Sequence, residues 1–197
     1  VLWSVGNETP VGEARNHFLG QLIADLKQGD PERLVTAALL TERKETPQGP
    51  LMALADPLAA KLDVMAVNTY NGWYSPDRLA DLPRIRWEVP AGKPLVISEF
   101  GADAKFGLHD GSADPRKFSE EFQAEYYRQT LAELDPVPGL AGMSPWILKD
   151  FRSPRRQRPG IQDGWNRKGL VSETGERKAA FAVLAEYYRK RAAPSGR

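Results

Sequence analysis

The chain of 197 residues contains no cysteine and only two histidines, His17 and His109, while 27 lysines and arginines stand against 26 aspartates and glutamates. Without thiols there is no disulfide framework, no thiolate zinc site and no cysteine nucleophile. Two imidazoles leave few candidates for a metal centre or a serine triad. A formal net charge of +1 gives no field strong enough to draw nucleic acid or an acidic membrane surface. No uncharged apolar run approaches the roughly 20 residues of a membrane-crossing helix, and the N-terminal residues lack the basic-then-apolar pattern of a signal segment. What remains is carboxylate chemistry, with no cofactor and no metal implied.

Apolar strand patterns recur at residues 1–5, 34–40, 64–67, 95–97 and 140–147. Their starts lie about 30 residues apart until the longer last interval, the span of a βα unit in a parallel sheet. Helices are expected in the intervals. Phe18, Leu19, Leu22, Ile23 and Leu26 follow helical spacing before Gly29 and Pro31 stop it, so this stripe is expected to cover the sheet. A second helix is expected over 118–134, with Phe118, Phe122, Tyr126 and Leu134 facing inward and Pro136 and Pro138 closing it. A third is expected over 178–191. Residues 152–160 carry four arginines among Pro and Gly, which suits a loop and neither regular element. The reading is one domain over 1–191 and a frayed tail over 192–197.

Two of the strand patterns end on a glutamate followed by turn residues: Leu2-Trp3-Ser4-Val5-Gly6-Asn7-Glu8-Thr9-Pro10 and Pro94-Leu95-Val96-Ile97-Ser98-Glu99-Phe100-Gly101. A pair of carboxylates facing one cleft is the equipment of a glycosidase. One protonates the leaving oxygen, and in a retaining enzyme the other attacks the anomeric carbon from about 5 to 5.5 Å away.

Both segments resemble signatures of glycoside hydrolase family 2, which holds β-glucuronidases and β-galactosidases. Further strings resemble the family's motifs in the family's order: Asn68-Thr69-Tyr70-Asn71-Gly72-Trp73-Tyr74, the stretch from Trp146 to Phe151, and Asn166-Arg167-Lys168-Gly169. The resemblance implies an α/β fold, the (β/α)8 TIM barrel, represented here by strands four to eight. A complete barrel typically takes about 250 residues, so the chain reads as the C-terminal part of one. A five-stranded remainder leaves two unpaired sheet edges, and its fold is expected to depend on the rest of the barrel.

The resemblance also assigns roles. Glu8 is the acid/base, with Asn7 beside it donating to the sugar's 2-hydroxyl, and Glu99 is the nucleophile. Asn68 and Tyr70 come from the strand-six motif, and Tyr70 is the donor expected to support the nucleophile. Trp146 forms the floor of the sugar site, with Trp73 and Tyr74 extending its wall, since aromatic faces suit the C–H patches of a pyranose. Asn166 and Lys168 match the Asn-x-Lys motif that holds the sugar carboxylate in β-glucuronidases, where an ammonium makes charge-assisted hydrogen bonds. Those enzymes often carry an arginine four positions before the asparagine. Gln162 stands there in this chain, and Arg158 or Arg167 is expected to supply the charge.

The resulting expectation is a retaining exo-β-glycosidase, β-glucuronidase-like. Two alternatives stay open: a β-galactosidase-like specificity, and a fragment that binds carbohydrate without turning it over. The implied partners are a carbohydrate substrate, the remaining barrel and upstream β-sandwich domains, with room for a homo-oligomer, no nucleic acid and no membrane.

Overall fold

The computed structural model describes residues 2–192. The expected tail from 193 onward lies outside them. The chain divides into two compact units. One comprises Val1–Thr69, Pro83–Glu99 and Glu133–Ser144, and the other Tyr70–Leu82, Phe100–Ala132 and Pro145–Arg197.

The first unit is built on a five-stranded sheet. In chain order its elements are β1 (Trp3–Asn7), helix α1 (Glu13–Gly29), β2 (Val35–Leu39), the short strands β3 (Glu42–Thr46) and β4 (Gly49–Ala53), β5 (Val64–Asn68), β6 (Arg86–Glu88), β7 (Leu95–Glu99) and β8 (Leu140–Met143). The main sheet has the order β1-β2-β5-β7-β8, and every pairing in it is parallel. All of β2 and residues 64–67 of β5 are buried, as expected of parallel strands covered on both faces. Because the strands run one way, Asn7, Asn68 and Glu99 emerge at the same edge of the sheet.

Every strand expected from sequence is present, although the last stops at Met143; just beyond it the Ser144 amide still donates to the Ile97 carbonyl at 2.8 Å. The intervals differ from expectation. Between β2 and β5 the chain forms an antiparallel hairpin instead of a helix, with Thr46 opposite Gly49 and a two-residue Pro47-Gln48 turn. Gly49 takes φ +101°, which glycine reaches without Cβ strain. β6 joins β4 to complete a separate three-stranded sheet. The remaining lengths of these intervals hold 3-10 turns at Pro57–Lys61 and Leu79–Arg84.

Helix α1 buries Leu19, Gly20 and Ile23, but Phe18 is 64% exposed. Phe18 precedes Leu19 by one residue, about 100° around the helix, which turns it off the buried stripe. Arg15 on α1 pairs both guanidinium ends with Asp56, each at 2.8 Å, and donates to Thr9 Oγ1 at 2.9 Å. Asp56 also caps the first 3-10 turn by accepting from the Leu58 amide at 2.9 Å. A bidentate contact of this kind, with Asp56 fully buried, holds the turn after β1 in a defined place.

The second unit contains most of helix α2 (Glu120–Leu134), a two-residue ribbon of β9 (Phe151–Arg152) and β10 (Trp165–Asn166), and helix α3 (Ala179–Ala192). The second helix begins two residues later than expected because Ser119 is its cap, accepting from the Phe122 amide at 3.2 Å. Phe118 lies outside the helix at φ +77°. Phe122, Tyr126 and Leu134 are buried as expected. The third helix runs one residue further than expected, through Ala192. Residues 153–164 form an irregular loop between β9 and β10, in keeping with their composition. Among the described residues no helix is long and apolar enough to cross a membrane.

Candidate active site

The end of β1 is shaped to present Glu8. The register of β1 on β2 shifts between Ser4 and Asn7, a local irregularity of the kind that re-aims side chains at a sheet edge. Glu8 itself adopts φ +51°, a left-handed conformation that costs a non-glycine residue roughly 1–2 kcal/mol. Its amide is held by the Ala38 carbonyl at 2.9 Å. The side chain is exposed.

Asn68, at the end of β5, ties these groups together. Its amide donates to Asn7 Oδ1 at 3.0 Å and to Glu8 Oε1 at 2.9 Å. Its carbonyl oxygen accepts from the Ser98 hydroxyl at 2.7 Å. Asn68 is also the register partner of Glu99 on β7, again across a shift, and the Thr69 amide donates to the Glu99 carbonyl at 2.9 Å. Glu8 and Glu99 start three strand positions apart, about 14 Å at the usual interstrand spacing. The Asn68 amide draws the Glu8 carboxylate over the end of β2 toward the strand beside Glu99. One asparagine therefore contacts both residues of the Asn-Glu pair and sits level with the second glutamate.

The second unit holds a cluster around Lys168. The side chain of Lys168 is 1% exposed, and its ammonium pairs with Asp103 at 2.8 Å and donates to the Tyr74 hydroxyl at 2.9 Å. It also lies 4.8 to 5.7 Å from the ring centres of Tyr74, Trp73 and Tyr70, within range of cation–π attraction. Asp103, fully buried, accepts from Gln162 at 2.6 Å. Asn166 is buried, and its side-chain oxygen accepts from the Lys168 amide at 3.0 Å. That oxygen is committed to the turn, so the NH2 end is what Asn166 can offer a ligand.

The aromatic residues divide by environment. Trp73 is buried and packs edge-on against Phe118 at 5.2 Å, whereas Tyr74 is 62% exposed. Tyr70 is half-buried, its ring 5.2 Å from that of Tyr74. Trp146 is half-buried, 6.0 Å from the Phe151 ring, and its amide donates to the Phe100 carbonyl at 2.8 Å. Gly101 allows this approach: a Cβ there would stand 2.2 Å from the Trp146 carbonyl oxygen.

A buried ionic brace holds the 166–169 turn. Lys178 donates to Asp150 at 2.7 Å, to the Ala104 carbonyl at 2.6 Å and to the Arg167 carbonyl at 2.9 Å. Asp150 also accepts from the Gly169 amide at 2.8 Å. Burial pushes the Asp150 carboxyl up and the Lys178 ammonium down, against their mutual attraction, so the pair serves position more than stability. Arg167 is taken up by Asp150 at 3.4 Å and by Glu173. Arg158 lies 4.8 Å from the Phe118 ring centre. His17 is exposed on α1. His109 is engaged by Glu121 at 2.8 Å, and that hydrogen bond raises the imidazole above its usual value.

Sequence reasoning missed Asp103, the buried counterion of Lys168. It follows Glu99 by four residues in Phe100-Gly101-Ala102-Asp103, outside the segment that carried the nucleophile pattern. The irregular Arg152–Gly160 stretch was visible, but nothing in its composition singled out Arg156, whose guanidinium donates to the Tyr74 hydroxyl at 3.3 Å.

Parallel strands whose ends bring Asn7, Asn68 and Glu99 to the same end of the sheet have the layout of an α/β barrel, in which sites form at the C-terminal ends of the strands. Residues 1–190 match the family model described as glycosyl hydrolases family 2, TIM barrel domain, and the chain belongs to that family. It is 33% identical over 200 residues to the β-glucuronidase of Rattus norvegicus, an alignment covering 95% of this chain and 28% of that protein. Among solved structures it is similar to the β-D-glucuronidase of Dictyoglomus thermophilum, at TM-score 0.74 and 25% identity over 96% of this chain and 32% of the other. It is also similar to a family 2 β-galacturonidase from Eisenbergiella tayi bound to galacturonate, at TM-score 0.73 and 25% identity over 96% of this chain and 33% of the other. The chain thus spans less than a third of the length of the curated relatives it matches.

Proposed function

We propose that this chain carries the catalytic residues of a retaining exo-β-glycosidase that removes a terminal β-linked uronic acid, glucuronides foremost. The Glu99 carboxylate attacks the anomeric carbon as Glu8 gives its proton to the departing oxygen, forming a glycosyl ester on Glu99. Glu8 then takes a proton from water, and the resulting attack on the ester releases the sugar with its original configuration. The hydrogen bond from Asn68 to Glu8, at an asparagine paired in register with Glu99, supports the close spacing that retention needs. Tyr70, two residues beyond β5, is assigned as the nucleophile's donor and Trp146 as the platform for the sugar face.

The observation that carries the uronic acid reading is the Lys168 ammonium, fixed by Asp103 and Tyr74 within the Asn-x-Lys turn. Relatives named for glucuronide and galacturonide substrates support the same class. Gln162 favours the second reading, a neutral β-galactoside, because it supplies an amide where β-glucuronidases often have an arginine.

Among the described residues the outer strands β1 and β8 each pair on one side only, and open edges of that kind invite association, so the test belongs in the intact protein. Aryl β-D-glucuronide and β-D-galacturonide are expected to be cleaved at least about a hundredfold faster, by kcat/KM, than the corresponding glucoside and galactoside. Equal rates on acidic and neutral sugars would refute the uronic acid reading.

Lys168 provides a second check. Lys168→Ala would strand the buried Asp103 carboxylate, and breaking such a pair from one side typically costs about 3–5 kcal/mol. The informative variant is therefore Lys168→Met with Asp103→Asn. It is expected to lose about 1.5–3 kcal/mol of transition-state binding on uronides, the worth of a charged hydrogen bond, and little on neutral glycosides. An equal loss on both would make the lysine structural.

A further inference from the structure

Two cations converge on the hydroxyl of Tyr74. Lys168 donates to it at 2.9 Å and Arg156 at 3.3 Å. A phenol oxygen has two acceptor positions and one proton to give. With both acceptor positions engaged by cations, the proton must point to some other acceptor, and no protein group among the described residues takes it. Tyr74 as a whole is 62% exposed.

The charges are unbalanced. Asp103 is the anion within the cluster, 2.8 Å from Lys168 and 3.8 Å from Arg156. It also accepts from Gln162 at 2.6 Å. Two positive groups against one buried carboxylate leave about one positive charge, and it falls on the more exposed partner. The Arg156 side chain is 30% exposed while that of Lys168 is 1% exposed. A guanidinium has five N–H donors, and among the described residues Tyr74 is the hydrogen-bond acceptor that Arg156 finds for them. Arg158 and Arg167 are differently placed, Arg158 against Phe118 and Arg167 against Asp150 and Glu173.

We propose that Arg156, from the loop between β9 and β10, is the specificity-determining cation of this site, binding the uronic acid carboxylate together with the Tyr74 hydroxyl and the Lys168 ammonium. Gln162 then serves another purpose, completing the shell of Asp103 and leaving anion recognition to an arginine six residues earlier. The electrostatics of Tyr74 agree. Burial alone would raise the phenol, yet the hydrogen bonds and charges of Lys168 and Arg156 outweigh it and bring Tyr74 below its usual value.

This inference rests on the uronic acid reading, and the experiment separates the two. In the intact protein, Arg156→Gln and Arg156→Lys are compared with wild type for kcat/KM on aryl β-D-glucuronide and aryl β-D-glucoside, and for inhibition by D-glucuronate against D-glucose. Arg156→Gln is expected to lose at least tenfold on the glucuronide, chiefly through KM, with the glucoside rate and Tm unchanged. Inhibition by D-glucuronate should weaken in step, and Arg156→Lys should recover part of both. A wild type that prefers glucuronide, with the preference intact in Arg156→Gln, overturns this inference alone. An equal loss on both sugars also overturns it, by making the arginine structural. A wild type that does not distinguish the two sugars overturns the functional reading and this inference together.

Discussion

Glu99→Gln in the intact protein is expected to lower kcat by about 10⁴-fold or more, the scale on which removing a catalytic nucleophile acts. The amide nearly preserves size, and the backbone contact that fixes the position, from the Thr69 amide to the Glu99 carbonyl at 2.9 Å, is independent of the side chain. The loss should therefore be chemical and leave Tm close to wild type. Activated aryl glycosides should not rescue the variant, because the missing step is attack on the sugar and a better leaving group does not replace the attacker. Wild-type-like turnover would remove Glu99 from the mechanism.

Glu8→Ala is expected to produce a different signature. A general acid typically contributes about 10²–10⁴-fold, and it does so where the leaving group needs a proton. Substrates with poor leaving groups should lose that factor in kcat/KM, and activated aryl glycosides should lose much less. Their kcat should still fall, since the same residue activates water in the second step, and added azide should restore it by attacking the glycosyl ester without a base. Asn68 keeps Asn7 Oδ1 as an acceptor at 3.0 Å when Glu8 is gone, so its position is not undone by the substitution. Equal losses on both substrate types, with no azide effect, would show that Glu8 is not the acid/base.

The parallel sheet was legible because its strands are short apolar runs at regular spacing, and burial on both faces writes that pattern directly into sequence. The small sheet was not. Residues 42–48 are exposed or half-exposed and open on the mixed charges Glu42 to Glu45, so no apolar period stood out there. The displaced start of α2 was recoverable from Ser119, a good cap that the hydrophobic spacing of Phe118 and Phe122 obscured.

In the site, the strand-end residues were legible because each belongs to a compact local motif. The partners that define their chemistry are remote in sequence. Asn68 is 60 residues from Glu8, and Asp103 is 65 residues from Lys168. The Asn-x-Lys motif singled out Lys168 but carried no sign of its burial against a counterion, which changes what its removal would do. Arg156 could not be ranked among its neighbours until the loop was folded onto Tyr74.

The proposed mechanism requires Glu99 to become covalently bonded to the sugar during turnover. A 2-deoxy-2-fluoro glucuronyl fluoride slows both steps, the second more than the first, and should accumulate the ester. Intact-mass and peptide-mapping spectrometry of the inactivated protein should show one glycosyl adduct on the peptide containing Glu99, absent in Glu99→Gln. An adduct on another residue would exclude Glu99 as the nucleophile, and turnover of a natural glucuronide to a product of inverted configuration would exclude the covalent mechanism.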